Sequence, residues 1–239
     1  MLARPRRTQL NRALSKLGLC SRGVAAEWIA AGRVRVNGKP AESAGQWVEL
    51  GVDRIEAAGA EARAPVYLAL HKPPGYVTTR SDELGRKTVY DLLPVEYSGG
   101  WVFPVGRLDK DSEGLLLLTN DGEWSDALTD PERHVAKVYR VKLDGKPRPD
   151  ELARFRSGIE LDGSITLPAG AEAEGAGWYR VELTEGRNRQ IRRMFHALGY
   201  KVKRLQRVSI GTLELGDLGP GETRVLPKGT ARALRKAAR

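Results

Sequence analysis

Cysteine, histidine and long apolar runs are scarce in this 239-residue chain, and each scarcity removes a class of protein. One cysteine, Cys20, excludes an internal disulfide framework, and its place in an apolar helical stretch reads as core. The three histidines, His71, His134 and His196, lack metal-ligand spacing, so no metal is expected. No segment is apolar over the length needed to cross a bilayer, so no membrane association is expected. The basic N-terminus leads into no apolar run, so a secretory signal is not expected and the cytoplasm is the default compartment. No glycine loop of nucleotide-binding spelling occurs either, and no cofactor is expected.

Acid is missing in two places. From Arg4 to Lys39 there are nine basic residues against the single acid Glu27, and from Gly186 to Arg207 there are eight and no acid. With a net charge of +10, two separate basic blocks point to a polyanionic partner touched at two surfaces, most simply nucleic acid.

The first block has its own architecture. Thr8 is placed to cap a helix whose Leu10, Ala13, Leu14 and Leu17 share a face, with Gly18 as its stop. Ser21 is placed to cap a second helix, with Val24, Trp28 and Ile29 inward and Gly32 as its end. Arg33 to Val36 alternates like a strand, and Asn37-Gly38 is a hairpin signal. Strands at Gln46–Leu50 and Asp53–Glu56 complete a small unit over residues 6–56. An alanine-rich linker is expected at 57–65. Beyond it, strands are expected at Val66–Leu70, Trp101–Val105, Leu115–Thr119, Lys137–Leu143, Trp178–Leu183 and Val202–Ile210. Helices are expected at Trp124–Leu128, Asp150–Phe155 and Asn188–Leu198. Strand runs broken by helices without regular alternation predict an α+β domain over 66–227, built on a mixed, mainly antiparallel sheet flanked by helices. Residues 228–239 read as a mobile basic tail.

Leu10-Asn11-Arg12-Ala13-Leu14, Gly18-Leu19-Cys20-Ser21-Arg22 and Gly32 to Lys39 resemble the S4 domain, a small RNA-binding module. On that resemblance Arg7, Arg22, Arg33, Arg35 and Lys39 are expected to engage RNA phosphates.

One segment runs against the basic character of the rest. Gly106-Arg107-Leu108-Asp109-Lys110-Asp111-Ser112-Glu113-Gly114 puts a cluster of carboxylates between two apolar strands. Its spacing imitates a calcium loop, but Asn120 stands where the bidentate carboxylate belongs, and strands rather than helices flank it. A polar turn without chemistry is a second possibility, and a catalytic loop on a rigid frame is the third.

The third is favoured by the motifs around it. Gly106-Arg107-Leu108-Asp109 with the following Glu113-Gly114 and apolar strand resembles the signature loop of pseudouridine synthases. Glu185 to Phe195, His71-Lys72-Pro73-Pro74-Gly75, Gly85-Arg86-Lys87-Thr88 and Lys137-Val138-Tyr139-Arg140-Val141 resemble further motifs of that superfamily, in the expected order. Joined to an S4 domain, they resemble the RsuA family, which modifies ribosomal RNA. The resemblance implies isomerisation of a uridine in ribosomal RNA, with large-subunit RNA preferred over small-subunit RNA and no cofactor. It makes Asp109 the essential carboxylate, either attacking sugar or base or removing the 2′ proton. It makes Tyr139 the residue that stacks on a flipped base. It makes Arg192 the cation that keeps Asp109 ionised, since burial alone would raise a carboxylate's pKa. Helical geometry then turns Arg189 and Arg193 outward toward phosphates. Arg107, Arg187 and Gln190 are expected at the substrate, and Asp111 and Glu113 are expected to shape the loop. The partner implied is ribosomal RNA or a pre-ribosomal particle, met by a monomer. The rival from another class is a non-catalytic RNA-binding assembly factor.

Overall fold

The computed structural model describes residues 6–59, 64–99 and 102–238. Arg4, Trp101 and residues 60–63 of the expected linker lie outside the described residues.

The N-terminal unit runs β1 (Arg6–Gln9), α1 (Leu10–Lys16), α2 (Arg22–Ala30), β2 (Val34–Val36), β3 (Lys39–Pro40), β4 (Trp47–Leu50) and β5 (Ile55–Ala57). Leu10, Ala13 and Leu14 meet Ala25, Ile29, Val34, Val36 and Val48 in one small core. The expected second helix is capped as read, its Val24 amide donating to Ser21 Oγ at 3.3 Å. The first helix differs. Thr8 lies in β1, which pairs with β4, and Gln9 sits at the cap without a side-chain bond. Leu17 falls beyond the helix and is 45% exposed, because the chain turns at Gly18 (φ +70°) and leaves it off the buried face. Asn37 (φ +52°) and Gly38 (φ +80°) make the β2–β3 turn in the left-handed geometry that Asn-Gly favours.

The second unit contains β6 (Tyr67–Lys72), a 3₁₀ turn at Val89–Leu92, α3 (Val95–Ser98), β7 (Phe103–Val105), β8 (Glu113–Thr119) and α4 (Gly122–Thr129). It continues with β9 (Lys137–Leu143), α5 (Pro149–Ser157), the short pair β10 (Glu160–Leu161) and β11 (Ser164–Ile165), β12 (Gly170–Gly175) and β13 (Trp178–Leu183). Last come α6 (Gln190–Ala197), β14 (Val202–Ile210), β15 (Leu213–Glu214), β16 (Thr223–Val225) and α7 (Lys228–Ala237). The sheet order is β12-β13-β9-β14-β8-β6-β16, with β15 on β14 and β7 on β8. Among the described residues β14–β8 is the one parallel pairing within it, so the sheet is mixed and mainly antiparallel.

Separate cores sit under the two ends of this sheet. Val141, Val181, Phe155, Met194 and Phe195 pack α5 and α6 onto one end. Leu115, Leu117, Trp124, Leu128, Ala231 and Leu234 pack α4 and α7 beneath the other. The residues read as a mobile tail are therefore largely an ordered helix. Ala231, Leu234 and Ala238 form its buried stripe, and Trp124 Nε1 donates to Ala231 O at 2.8 Å.

Candidate active site

The loop from Gly106 to Ser112 joins β7 to β8, and it is tied down mainly through its backbone. Leu108 is buried, and its carbonyl accepts from Thr78 Oγ1 at 2.7 Å. Lys110 O accepts from the Gly75 amide at 2.7 Å, and Ser112 N donates to Asp109 O at 3.1 Å. Beneath the loop lies fully buried Lys72, whose Nζ donates to Ser112 O at 2.7 Å, Pro73 O at 3.1 Å and Lys110 O at 3.4 Å. Burial pulls the Lys72 pKa down to about 8 against the opposing charges of Asp111, Asp109 and Glu113.

The loop holds the Asp109 side chain 32% exposed in the wall of a cleft of about 440 Å³. Tyr139, Leu205, Ile191, Lys137 and Arg207 line the same cleft. Tyr139 is half-buried on β9 and packs against the α5–α6 core and against a further cluster of Leu68, Leu70, Leu108, Leu116 and Leu118.

The cation expected at Asp109 is not the one found there. Arg189 Nη1 lies 3.7 Å from Asp109 Oδ2, while its two terminal nitrogens hold Asp111 at 3.0 and 2.9 Å. Those hydrogen bonds keep the Asp111 carboxyl below the usual carboxylate range, with burial opposing. Arg192 instead braces the loop. Its Nη2 donates to Asp111 O at 2.9 Å, its Nη1 donates to Val202 O at 3.2 Å, and its Nε stands 3.4 Å from Asp111 Oδ2. The physical reason is the helix boundary. α6 starts at Gln190, not at Asn188, and Arg189 caps it in a left-handed conformation (φ +48°) that swings the side chain into the cleft. Ile191, Met194 and Phe195 of α6 are buried, and Leu198 at its C-terminal cap is half-buried against the same core.

Three residues expected at the substrate are engaged with protein groups. Arg187 bonds Glu185 at 3.1 Å, Ser164 Oγ at 2.8 Å and Ile165 O at 2.5 Å, pinning the β10–β11 hairpin. Gln190 is buried and links the Arg187 amide to Glu185. Arg193 pairs with Asp162 at 2.5 Å. Arg107 is different: it is exposed, and among the described residues no bond or ion pair holds it. It lines both the cleft and a second groove of about 500 Å³ between the two units, where Arg12, Lys16 and Arg22 face it. Lys16 Nζ bridges to Asp126 of α4 at 2.7 Å across that boundary.

In the N-terminal unit Arg7, Arg22, Arg33, Arg35 and Lys39 are all exposed. Arg33 stacks over Trp28 at 4.8 Å and donates to Ala58 O, and Arg35 donates to Gly38 O at 2.9 Å. The carboxylates of the acidic loop do not converge: Glu113 turns to Arg204 at 2.8 Å while Asp111 faces Arg189. The calcium-like spacing is therefore a coincidence of sequence.

Lys72, Lys137 and Arg207 carried no role in the sequence reading, although all three are buried or half-buried around the loop and cleft. The signal was there for Arg207, which alternates with Leu205 and Ser209 on the inward register of β14.

Residues 66–197 match the family model of RNA pseudouridylate synthases, and residues 9–53 match that of the S4 domain. The ribosomal large subunit pseudouridine synthase B of Bacillus subtilis (strain 168) is 37% identical over 96% of this chain and 96% of its own length. An uncharacterized RNA pseudouridine synthase of Aquifex aeolicus (strain VF5) is 40% identical over 96% of this chain and 94% of its own. A crystal structure of a pseudouridylate synthase superposes with a TM-score of 0.71 at 31% identity, covering 95% of this chain and 99% of that one.

Proposed function

From the premise that this chain belongs to the RNA pseudouridylate synthase family and carries an S4 domain, we propose that it isomerises a specific uridine of large-subunit ribosomal RNA. The observation that carries the choice of substrate is the end-to-end similarity to an enzyme named for the large ribosomal subunit. It acts as a monomer in the cytoplasm, on rRNA or a pre-ribosomal particle.

Pseudouridine has the same atoms as uridine, so the reaction needs no redox partner and no energy input. Asp109 is the reacting carboxylate, attacking the sugar or base or taking the 2′ proton. A role in the cleft is supported by its anchored loop and by Arg189 3.7 Å away. Tyr139 stacks on the extruded base, a role supported by its place on the same cleft wall. Arg107, free at the rim, takes a flanking phosphate. The exposed cations of the S4 unit hold the RNA farther out.

The test is pseudouridine mapping in ribosomal RNA from cells lacking the gene, complemented with wild type or Asp109→Asn. Loss of one large-subunit site, restored only by wild type, is expected. Loss of a small-subunit site instead would move the target, and restoration by Asp109→Asn would leave only a binding or assembly role. With purified protein, Asp109→Asn should lower the rate by at least about 10³-fold, with RNA affinity within about threefold.

A further inference from the structure

Arg207 is 3% exposed, yet among the described residues no carboxylate lies within ion-pair distance of it. Its Nε donates to Leu115 O at 2.7 Å, and its Nη2 is buried without a partner. Every other arginine discussed at this end of the cleft, apart from the exposed Arg107, faces an acid. Lys137, half-buried on β9, bonds the Val135 carbonyl at 3.0 Å and, among the described residues, no other group. Burial first, and then the charge of Arg207, pull the Lys137 pKa down to about 8. Two desolvated cations side by side repel one another, and a site that keeps them unpaired is built for negative charge that arrives later.

The fold says where that charge would be. Arg207 on β14 is the cross-strand partner of Tyr139 on β9 and of Gly114 at the end of the Asp109 loop. Side chains directly opposite in an antiparallel pair lie on one face, so the guanidinium stands beside the ring assigned to base stacking. A backbone phosphate stays with solvent at the rim, where Arg107 is exposed. The part of the RNA that goes deepest is the base.

We propose that Arg207, with Lys137 beside it, is the receptor for the detached uracil ring and holds the negative charge the ring carries between its two bonds to the sugar. This rests on the reading of the chain as a uridine-isomerising enzyme. When the bond from C1′ to N1 breaks, its electron pair stays with uracil and spreads over N1, O2 and O4. C1′ is satisfied either by a bond to an Asp109 oxygen or by a double bond to C2′ after Asp109 takes the 2′ proton. When C5 bonds to C1′, the ring's electron pair makes that bond, and Asp109 leaves or returns its proton to C2′. The C5 proton is then lost and N1 gains one. On both routes the ring passes through an anion, and a preorganised cation in a desolvated site lowers that state selectively.

The test compares substrates that need this help to different degrees. RNA carrying uridine and RNA carrying 5-fluorouridine, whose ring holds negative charge better by itself, are compared in single turnovers by consumption of the target nucleotide. Arg207→Gln should slow the uridine reaction by about 10²-fold, the size of losing one preorganised donor. It should slow the 5-fluorouridine reaction at least about tenfold less, with RNA affinity within about threefold. Lys137→Met should shift the same ratio in the same direction by a smaller factor, and it carries the test if Arg207→Gln does not fold. Equal slowing of both substrates, or a loss wholly accounted for by weaker RNA binding, overturns the assignment. If wild type converts no uridine in any rRNA fragment, the functional reading itself has failed; an active wild type with an unchanged substrate ratio in the variants sinks only this inference.

Discussion

A single buried ammonium, Lys72, holds three backbone carbonyls around the Asp109 loop. Lys72→Met keeps the volume and removes the donor, leaving those carbonyls unpaired. It should cost about 2–4 kcal/mol of stability, since each buried unsatisfied polar group costs about 1–3 kcal/mol with partial relaxation; denaturant unfolding measures it. The pH dependence has a definite sign. The folded-state pKa of Lys72 is about 8, below the roughly 10.4 of an unfolded lysine. Below the folded value both states carry the charge and the burial penalty is present in full. Between the two values the unfolded chain holds more protons, so stability rises with pH. Turnover should move the other way, falling above pH about 8 as Lys72 and Lys137 lose charge. Opposite slopes for melting and rate over that window are the expected result, and Lys72→Met should flatten part of the stability rise. At Arg189, removal of the cation nearest Asp109 should lower the single-turnover rate by about 10- to 100-fold with RNA affinity within about threefold. Filter binding beside the rate assay separates the two, and a loss confined to affinity would return Arg189 to the outward role expected from the sequence.

At the scale of elements, what the sequence made legible depended on how far each decision hung on one boundary. The strand–loop–strand around Asp109 was readable because two apolar runs bracket it and its motif is spelled in full. The exchange of roles between Arg189 and Arg192 was not, because Arg189 falls just outside the helix in a left-handed conformation (φ +48°), where helical spacing no longer says which way its side chain points. The C-terminal helix was missed for another reason. Its apolar stripe is Ala231, Leu234 and Ala238, and only one of those is a strong hydrophobe, so composition alone reads as a solvated tail. Leu234→Ala tests how much the helix matters: fully buried against the α4 core, the change should destabilise by about 2–4 kcal/mol. Chemical denaturation would reveal it, and a change under about 0.5 kcal/mol would mean that α7 docks without contributing to the core.

Across the whole molecule, the S4 unit is seated on the catalytic unit through α1 and α4. Besides the Lys16–Asp126 bridge, the backbone of Gly122 approaches so closely that a Cβ there would lie 2.9 Å from Lys16 Cα. Gly122→Leu should therefore lift the S4 unit from its seat while leaving the remote cleft intact. RNA affinity should weaken by about tenfold or more, with a shallower dependence on salt as phosphate contacts are lost. The rate at saturating RNA should stay within about threefold of wild type. Titrations at several salt concentrations, paired with single turnovers, measure both. A loss of saturating rate with unchanged affinity would contradict the division of labour between the units.

Asp109 and Arg189 enter the cleft from opposite ends of one sheet, and those ends meet where Gln206 and Arg207 of β14 lie alongside Glu113 and Gly114 of β8. Gly114 (φ +106°) lets the two backbones touch there, with its absent Cβ leaving room for the Arg207 main chain. The carboxylate and the guanidinium, 3.7 Å apart, are thus carried by loops on the two halves of the sheet that meet at that crossing. Any side chain at position 114 would collide with the Arg207 main chain and so shift the Asp109 and Arg189 loops relative to one another.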